Sequence, residues 1–424
     1  MLSVAEAESI VFNLVRPFDG DGDVETLELL SAFGRILAAP VKGSLDFPHW
    51  DNSAMDGYAV RYEDVKDCSA EKPKVLEIVE EIPAGKPPQV AIAGGETARI
   101  LTGSMMPAGA DTVVIQEETK REGNKVEILA APPLKGNFVR RQGEFYRAGD
   151  ELLPAGIALG APDIAVLASA QCVRVPVYRR PRVAIFSTGD ELTVPGEPLQ
   201  PGHLIDSNSY ALAALAAAAG GEPLMMGIVP DDPKVLKDAI ARAILSADIV
   251  ISTGGVSVGD YDYVERILSE LGGAIHIKSV AVKPGKPLTV ATFTAAGDTT
   301  EYQRKILYFG LPGNPVSALV SFWRFVQPAL RKMAGFAAGW QPVFLSAQTR
   351  QDLRSGGRRE TYLWGQIQLV DGGYEFDLAG GSHSSGNLIN LAQTSGLAVL
   401  PVGEKFIPAG EVVRVMQVGL AIGS

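Results

Sequence analysis

Three short stretches carry residues suited to phosphate or oxyanion chemistry: STGDEL (187–192), STGGVSVGD (252–260) and GLPGNPVS (310–317). Each follows an apolar run and holds glycine where backbone must come close to another group or turn with positive φ. Each also sets hydroxyls or carboxylates beside that glycine. Ser187, Thr188 and Gly189 precede Glu191; Thr253, Gly254, Gly255 and Ser257 precede Asp260 and Asp262; Pro312, Gly313, Asn314 and Pro315 precede Ser317. In the third stretch Asn314 suits a helix cap and Pro315 the first helical position. A helix start with free N–H groups beside glycine is an anion site, and a capped helix without a ligand is the alternative. AVKPGKPL (281–288) adds Lys283 and Lys286 around a Pro284-Gly285 turn that can aim both ammonium groups one way. Lysines and carboxylates (Glu191, Asp231, Asp260, Asp262) at one anion site make chemical sense when a divalent metal bridges carboxylate to phosphate. A solvated aspartate or a helix cap is the competing account of each acid. No GxxxxGK[ST] occurs, and no GxGxxG follows the first strand of this region, so neither a Walker-type nucleotide site nor a nicotinamide enzyme is supported.

The elements that must position these loops alternate. RVAIFSTGDEL reads as a buried strand, SYALAALAAAAGG as a helix closed by Gly220-Gly221, MMGIV as a strand and DDPKVLKDAIARAIL as a helix capped by Asp232. ADIVIS, YVERILSELGG, KILYFGL and NPVSALVSFWRFVQPAL continue as strand, helix, strand, helix. This pattern gives a doubly wound parallel α/β domain, whose ligands bind beyond the carboxyl ends of the strands. Residues 1 to about 45 read as helical, VETLELLSAFGRIL included. From Asp46 short apolar runs (VLEIVE, ARILTG, DTVVIQEE, KVEILAA) alternate with Gly/Pro turns, giving a small β domain that ends near Gln142. APDIAVLASA is a helix, GFAAGW (335–340) a linker, and the remainder β. No solenoid repeat appears.

At 424 residues the chain exceeds one core, and at roughly 150 residues per domain it holds about three. A net charge of −11 argues against nucleic-acid and anionic-membrane binding, which need a positive field. The two cysteines and four histidines match no metal-ligand spacing, so a reducing compartment fits. The N-terminal stretch reads as an amphipathic helix and not a signal peptide. No apolar run approaches the roughly 20 residues of a membrane span, and we expect a cytoplasmic protein.

VISTGGVSVGDYDYV, KPGKP and GLPGNPVS together resemble the MoaB/MogA-type molybdopterin-binding domain. FPHWDNSAMDGYAV, RILTGSMMPAGADTVVIQEE and IFSTGDEL extend the resemblance, over essentially the whole chain, to the longer MoeA family, which includes the C-terminal part of gephyrin. The resemblance implies four domains. Residues 1–45 and 143–180 form a split N-terminal α+β domain, 46–142 an inserted small β domain, 181–334 the MoaB/MogA-like α/β domain, and 335–424 a β-barrel-like domain. It implies a homodimer, Mg2+, and reaction of molybdate with adenylylated molybdopterin to give the cofactor, AMP and water. It also implies exchange with other proteins of molybdenum cofactor synthesis. By motif, Asp56 of SAMDGYA and Thr102 of RILTG come from the partner subunit's inserted domain. Glu191, Asp231 and Asp262 form the acidic, metal-associated set. Lys283, Lys286 and Ser317 grip molybdate or phosphate, Pro312 and Pro315 shape their loop, and Ser382 of GGSHSS closes the pocket. Arg140 and Arg359 join the substrate-binding set.

Three positions depart from the family pattern: Phe145 where an Asp is usual, Ser279 (with Lys278 one step earlier) where a basic residue is common, and Trp364 where an Arg is frequent. Arg359, a few residues earlier, either substitutes for that Arg or is its true match. Two other readings stay open on sequence alone. One is the adenylyltransferase that makes the intermediate, and the other is a non-catalytic molybdopterin-binding scaffold.

Overall fold

The computed structural model describes residues 1–254, 261–296, 303–419 and 422–423. Gly255, Ser257 and Asp260 lie outside the described residues, and so does the side chain of Asp262. The chain divides into two compact units. One comprises Met1–Ala39, Ala155–Gly160 and Arg174–Ser424; the other comprises Pro40–Pro154 and Ala161–Val173.

The first unit opens with helix α1 (Val4–Leu14). The Ser3 hydroxyl accepts the Glu6 N–H while the Glu6 carboxylate accepts the Ser3 N–H, a capping box that fixes where the helix starts. The next expected helix is not one. Val24–Glu28 is a strand, β1, paired antiparallel with β2 (Arg174–Tyr178), and a 3₁₀ turn follows at Leu29–Ala32. The reason is tertiary. The ladder to β2 satisfies the backbone of this segment from outside it, in place of the internal bonds of a helix. Two apolar residues of the helical pattern, Leu30 and Phe33, are 82% and 60% exposed.

The central sheet is built from β3 (Arg182–Thr188), β4 (Glu222–Val229), β5 (Ile249–Thr253), β6 (Ala274–Ser279), β7 (Pro287–Ala296) and β8 (Gln303–Leu311), in the order β4-β3-β5-β8-β7-β6. The first four are mutually parallel. β7 and β6 extend the sheet antiparallel, a detail the alternating pattern did not carry. Only residues 297–302 separate β7 from β8, too few for the crossover that a parallel pair needs. Burial follows the two-residue period. Val183, Ile185, Ile249, Ile251, Leu307 and Phe309 face α2 (Asn208–Ala218), α5 (Pro315–Ser321) and α6 (Gln327–Met333). Ala184, Phe186, Val250, Ile306 and Tyr308 face α3 (Pro233–Ser246) and α4 (Tyr261–Glu270). Asp232 caps α3, its carboxylate accepting the N–H groups of Lys234 and Val235 with Pro233 at the first position. A π turn, Phe322–Val326, joins α5 to α6, so the run expected as one helix is continuous but locally widened.

The C-terminal strands β9 (Phe344–Thr349), β10 (Glu360–Val370), β11 (Gly373–Leu378), β12 (Gly396–Leu400) and β13 (Val412–Gln417) close on themselves in the order β10-β11-β9-β13-β12-β10. Closure leaves the ring without an edge. Leu363, Ile367, Phe376, Ala398, Leu400, Val413 and Val415 fill the barrel. Tyr362, Trp364, Leu397 and Val399 point out of it and join the apolar core on the α2/α5 side of the central sheet.

In the second unit the strands Gly57–Val60, Lys74–Ile82, Glu96–Ile100, Thr112–Ile115, Thr119–Glu122 and Lys125–Ile128 form one sheet. Tyr58, Leu76, Val114 and Val126 pack one cluster, and Ile82, Ala98, Ile100 and Val113 another. No described helix of the chain is long and apolar enough to cross a membrane.

Two ion-pair clusters hold the N-terminal segment to the first unit. Arg179 is bidentate to Asp248 at the amino end of β5 (2.7 and 2.9 Å) and also meets Asp23 at 3.0 Å. Arg324, in the π turn and 5% exposed, is bidentate to Glu8 of α1 (2.8 and 2.7 Å) and donates through Nε to the Tyr362 hydroxyl at 2.9 Å. Burial opposes the Arg324 charge, but Glu8 and Tyr362 more than offset it, so its pKa is raised. Removing one partner strands a buried charge. We therefore expect Glu8→Ala to destabilise this unit by about 3 kcal/mol. Urea unfolding followed by tryptophan fluorescence in a Trp50→Phe background checks this, because Trp323, Trp340 and Trp364 all lie in the first unit.

Candidate functional site

The carboxyl ends of β3, β5 and β8 lie side by side, and glycine sets their separation. Gly254, just past β5, has φ +90°, and a Cβ there would stand 2.3 Å from the Thr188 carbonyl oxygen at the end of β3. Gly313, past β8, rests its would-be Cβ 3.4 Å from the Gly254 α-carbon. Gly254 therefore lies against the backbone at both neighbouring strand ends, and a side chain there would force β3 and β5 apart. Gly313 does not use a left-handed conformation; its role is the close approach, and its carbonyl accepts Asn208 Nδ2 at 2.8 Å.

A polar scaffold lies at these strand ends: it uses Ser187 and Thr253, expected from sequence as substrate-binding residues, with Asp206, Asn208 and Ser209, which were not singled out. Ser187 Oγ donates to Asp206 Oδ1 at 2.8 Å, lies 2.8 Å from Ser209 Oγ and 3.3 Å from Thr253 Oγ1. Asp206 also accepts the Ser209 N–H, and Asn208 Nδ2 reaches Thr253 Oγ1 at 3.2 Å. Ser187, Thr188, Asp206, Asn208, Ser209 and Thr253 are all buried. The signal was present in DSNSY: four polar residues at the start of an apolar helix exceed what one cap requires. Asn208 Oδ1 is buried without a hydrogen-bond partner among the described residues.

Further loops gather around the first turn of α5. Asn314 holds the cap position but its side chain makes no capping bond, contrary to expectation; instead the Val316 N–H donates to the Ser385 carbonyl at 3.1 Å. Pro312 and Ser317 are buried, while Asn314 is exposed. The lysine turn packs on the same helix. Gly285 has φ +106°, and a Cβ there would meet Ser321 Oγ at 2.8 Å and the Ser317 carbonyl at 3.5 Å. Lys283 and Lys286 flank it, both exposed. Val282 and Lys283 pair with Glu360 and Thr361 of β10, and Arg359 Nη1 donates to the Val282 carbonyl at 3.1 Å, so Arg359 stands at the lysine turn. Ser382 is exposed in the loop that carries Ser385. Trp364 is only 1% exposed and stacks on His383 of that loop, so it cannot offer a polar contact of its own. Lys278 is engaged with Glu265.

The loops that carry Glu191 and Asp231 are tied together. Glu191 folds over Gly189, where a Cβ would meet its carboxylate at 2.4 Å. Asp190 Oδ1 accepts the Asp231 N–H at 3.2 Å, which joins the loops after β3 and β4. No cluster of three or more His, Cys, Asp or Glu able to hold a metal occurs among the described residues. Two hard carboxylates nevertheless fit Mg2+, which is commonly held by one or two carboxylates plus substrate phosphates. In the second unit, Asp56 Oδ1 accepts both the N–H and the hydroxyl of Thr102, each at 2.7 Å. The Thr102 hydroxyl first, then its N–H, hold the Asp56 carboxyl below its usual range. Arg140 pairs with Asn52 in a short strand of the same unit.

Three family models match in order: the MoeA N-terminal region (domain I and II) over residues 2–170, a probable molybdopterin binding domain over 184–332, and the MoeA C-terminal region (domain IV) over 346–418. A Nostoc sp. protein named molybdopterin molybdenumtransferase is 58% identical over 417 residues, covering 98% of this chain and 94% of its own. A Mycobacterium tuberculosis protein named molybdopterin molybdenumtransferase 2 is 33% identical, covering 98% and 99%. A crystal structure of a molybdopterin biosynthesis moeA protein from Pyrococcus horikoshii superposes with a TM-score of 0.82 at 29% identity, covering 99% and 100%. With all three regions matched in order and the fold shared along its length, the chain belongs to the MoeA family.

Proposed function

We propose that this protein is a molybdopterin molybdenumtransferase. It inserts molybdate into adenylylated molybdopterin, releases AMP and forms the molybdenum cofactor. The convergence of three strand-end loops, the lysine turn and the Ser382 loop around α5 carries the reading. Relatives that share up to 58% of the sequence bear that enzyme's name.

Each part has a task that its chemistry supports. Gly189, Gly254 and Gly313 bring main-chain amides close to phosphate oxygens. The buried Ser187–Asp206–Thr253 scaffold keeps those amides in place without competing for ligand. Lys283 and Lys286 form no ion pair among the described residues, so both ammonium groups remain available to a dianion such as molybdate. Ser317, Arg359 and Ser382 complete the oxyanion contacts. Glu191 and Asp231, with Asp262, would hold Mg2+, which when bound supplies neutralising charge at the phosphoanhydride. In this reading the protein is a cytoplasmic homodimer, with Asp56, Thr102 and Arg140 acting from the neighbouring subunit. The partition into domains at 45, 142, 180 and 334 belongs to the same reading.

Purified protein with adenylylated molybdopterin, Mg2+ and molybdate should release AMP in proportion to molybdate. No molybdate-dependent release would overturn the reading, and ATP-dependent adenylylation of molybdopterin in its place would favour the adenylyltransferase. Gly254→Ala should lower that turnover by about a hundredfold, because displacement of positioning groups by an ångström can cost that much. Lys283→Met and Lys286→Met should each raise KM for molybdate by about tenfold, the scale of one charge-assisted contact. Thr102→Val removes the larger cause of the Asp56 shift. Its carboxyl should then titrate at higher pH, nearer the ordinary aspartate range, in an NMR titration. In the wild type the ionised form persists to lower pH than in the variant.

A further inference from the structure

The loop from Gly380 to Gly386 carries Ser382, and the fold fixes it at several points. The Ser382 carbonyl accepts Asn387 Nδ2 at 3.0 Å and Asn390 Nδ2 at 2.9 Å. The Ser385 carbonyl accepts the Val316 N–H of α5. Between them His383 turns inward. Its Nε2 meets the Ala379 carbonyl at 2.8 Å, and its ring lies on Trp364 with centroids 4.6 Å apart and planes inclined by 49°.

Trp364 sits on the outer side of the barrel strand β10, within the core shared with the central sheet. Among the described residues, His383 Nδ1 and Trp364 Nε1 are buried without a hydrogen-bond partner. Two unpaired polar atoms in one contact are a cost that a purely stabilising contact between apolar rings would avoid. What the contact does supply is a fixed height. Both rings are rigid, and one is embedded in the core that also holds α5.

We propose that Trp364 and His383 are positioning residues of the oxyanion site: their stack sets Ser382 and Ser385 over the first turn of α5. The inference rests on the transferase reading above and deepens it. At 1% exposure Trp364 does not touch a ligand, so it acts through His383.

The test is steady-state turnover with molybdate varied. His383→Ala should raise KM for molybdate about tenfold and leave kcat within about threefold, the signature of lost ground-state binding. His383→Phe keeps a ring on Trp364 and should restore both values to within about threefold of wild type. The double variant Ser382→Ala/His383→Ala should be no worse than the more severe single, because both act through one contact. Trp364→Ala risks unfolding the core, so His383 carries the test. Amide exchange gives a readout that needs no turnover. His383→Ala should speed exchange of the Val316 N–H by about tenfold, and His383→Phe should not. Unchanged KM, a kcat loss as large as the KM rise, additive effects or unchanged Val316 exchange would each overturn the proposal. If the wild-type protein releases no AMP, the transferase reading falls instead, and the exchange measurement still decides the positioning role.

Discussion

The approach of Gly254 to the Thr188 carbonyl governs the functional end of the molecule. Two parallel strands can end side by side anywhere, but their loops normally diverge to make room for side chains. Here a Cβ would lie 2.3 Å from a carbonyl oxygen, so only glycine fits where the chain leaves β5 beside the end of β3. The Gly313 turn then rests on Gly254, past the adjacent ends of β5 and β8. Crowding polar backbone in this way needs buried partners. Asp206, Asn208, Ser209 and Thr253 supply them, linking the loop glycines to the start of α2.

The second organising element is α5. Its start is set less by its own cap than by tertiary contacts: Ser385 takes its N–H, and Gly285 lays the lysine turn on Ser317 and Ser321. Farther along the same helical run, Arg324 reaches both α1 and Tyr362 on the barrel. One helix thus relates the strand-end loops, the lysine turn and the barrel loop. The cores agree with this: Trp364 and Tyr362, pointing out of the barrel, belong to the cluster that includes Val183 and Ile249 of the sheet.

Much of this was legible because the signals are local. Glycine after an apolar run, the Asp232-Pro233 start of α3 and the two-residue burial period of β3, β5 and β8 all depend on neighbouring residues. What failed was decided at a distance. Val24–Glu28 satisfies a helical pattern, yet β2, some 150 residues away in sequence, pairs with it. Asn314 has the chemistry of a cap, but a carbonyl from the 380s loop took the amide first. Asp206 and Asn208 look like turn residues until β3 and β5 are placed above them. Barrel closure depends on β12 returning to β10, which no strand-by-strand pattern encodes. In the second unit, Thr102 donates to Asp56 through both its N–H and its hydroxyl, a contact between two motifs 46 residues apart in sequence.

Charge at the site must also be local. The protein carries a net charge of −11, and in physiological salt its field is screened within about 8 Å. An oxyanion near the strand ends therefore responds to nearby groups and little to the whole. Lys278 is held by Glu265, Lys237 by Glu270 and Lys66 by Glu63, whereas Lys283 and Lys286 are paired with no described carboxylate. Arg359 keeps its charge while a neutral carbonyl orients it, so its field is fixed in direction without being neutralised. Close backbone at Gly254 and Gly313, and two lysines paired with no described carboxylate, are what this end of the chain offers an oxyanion in the proposed reading.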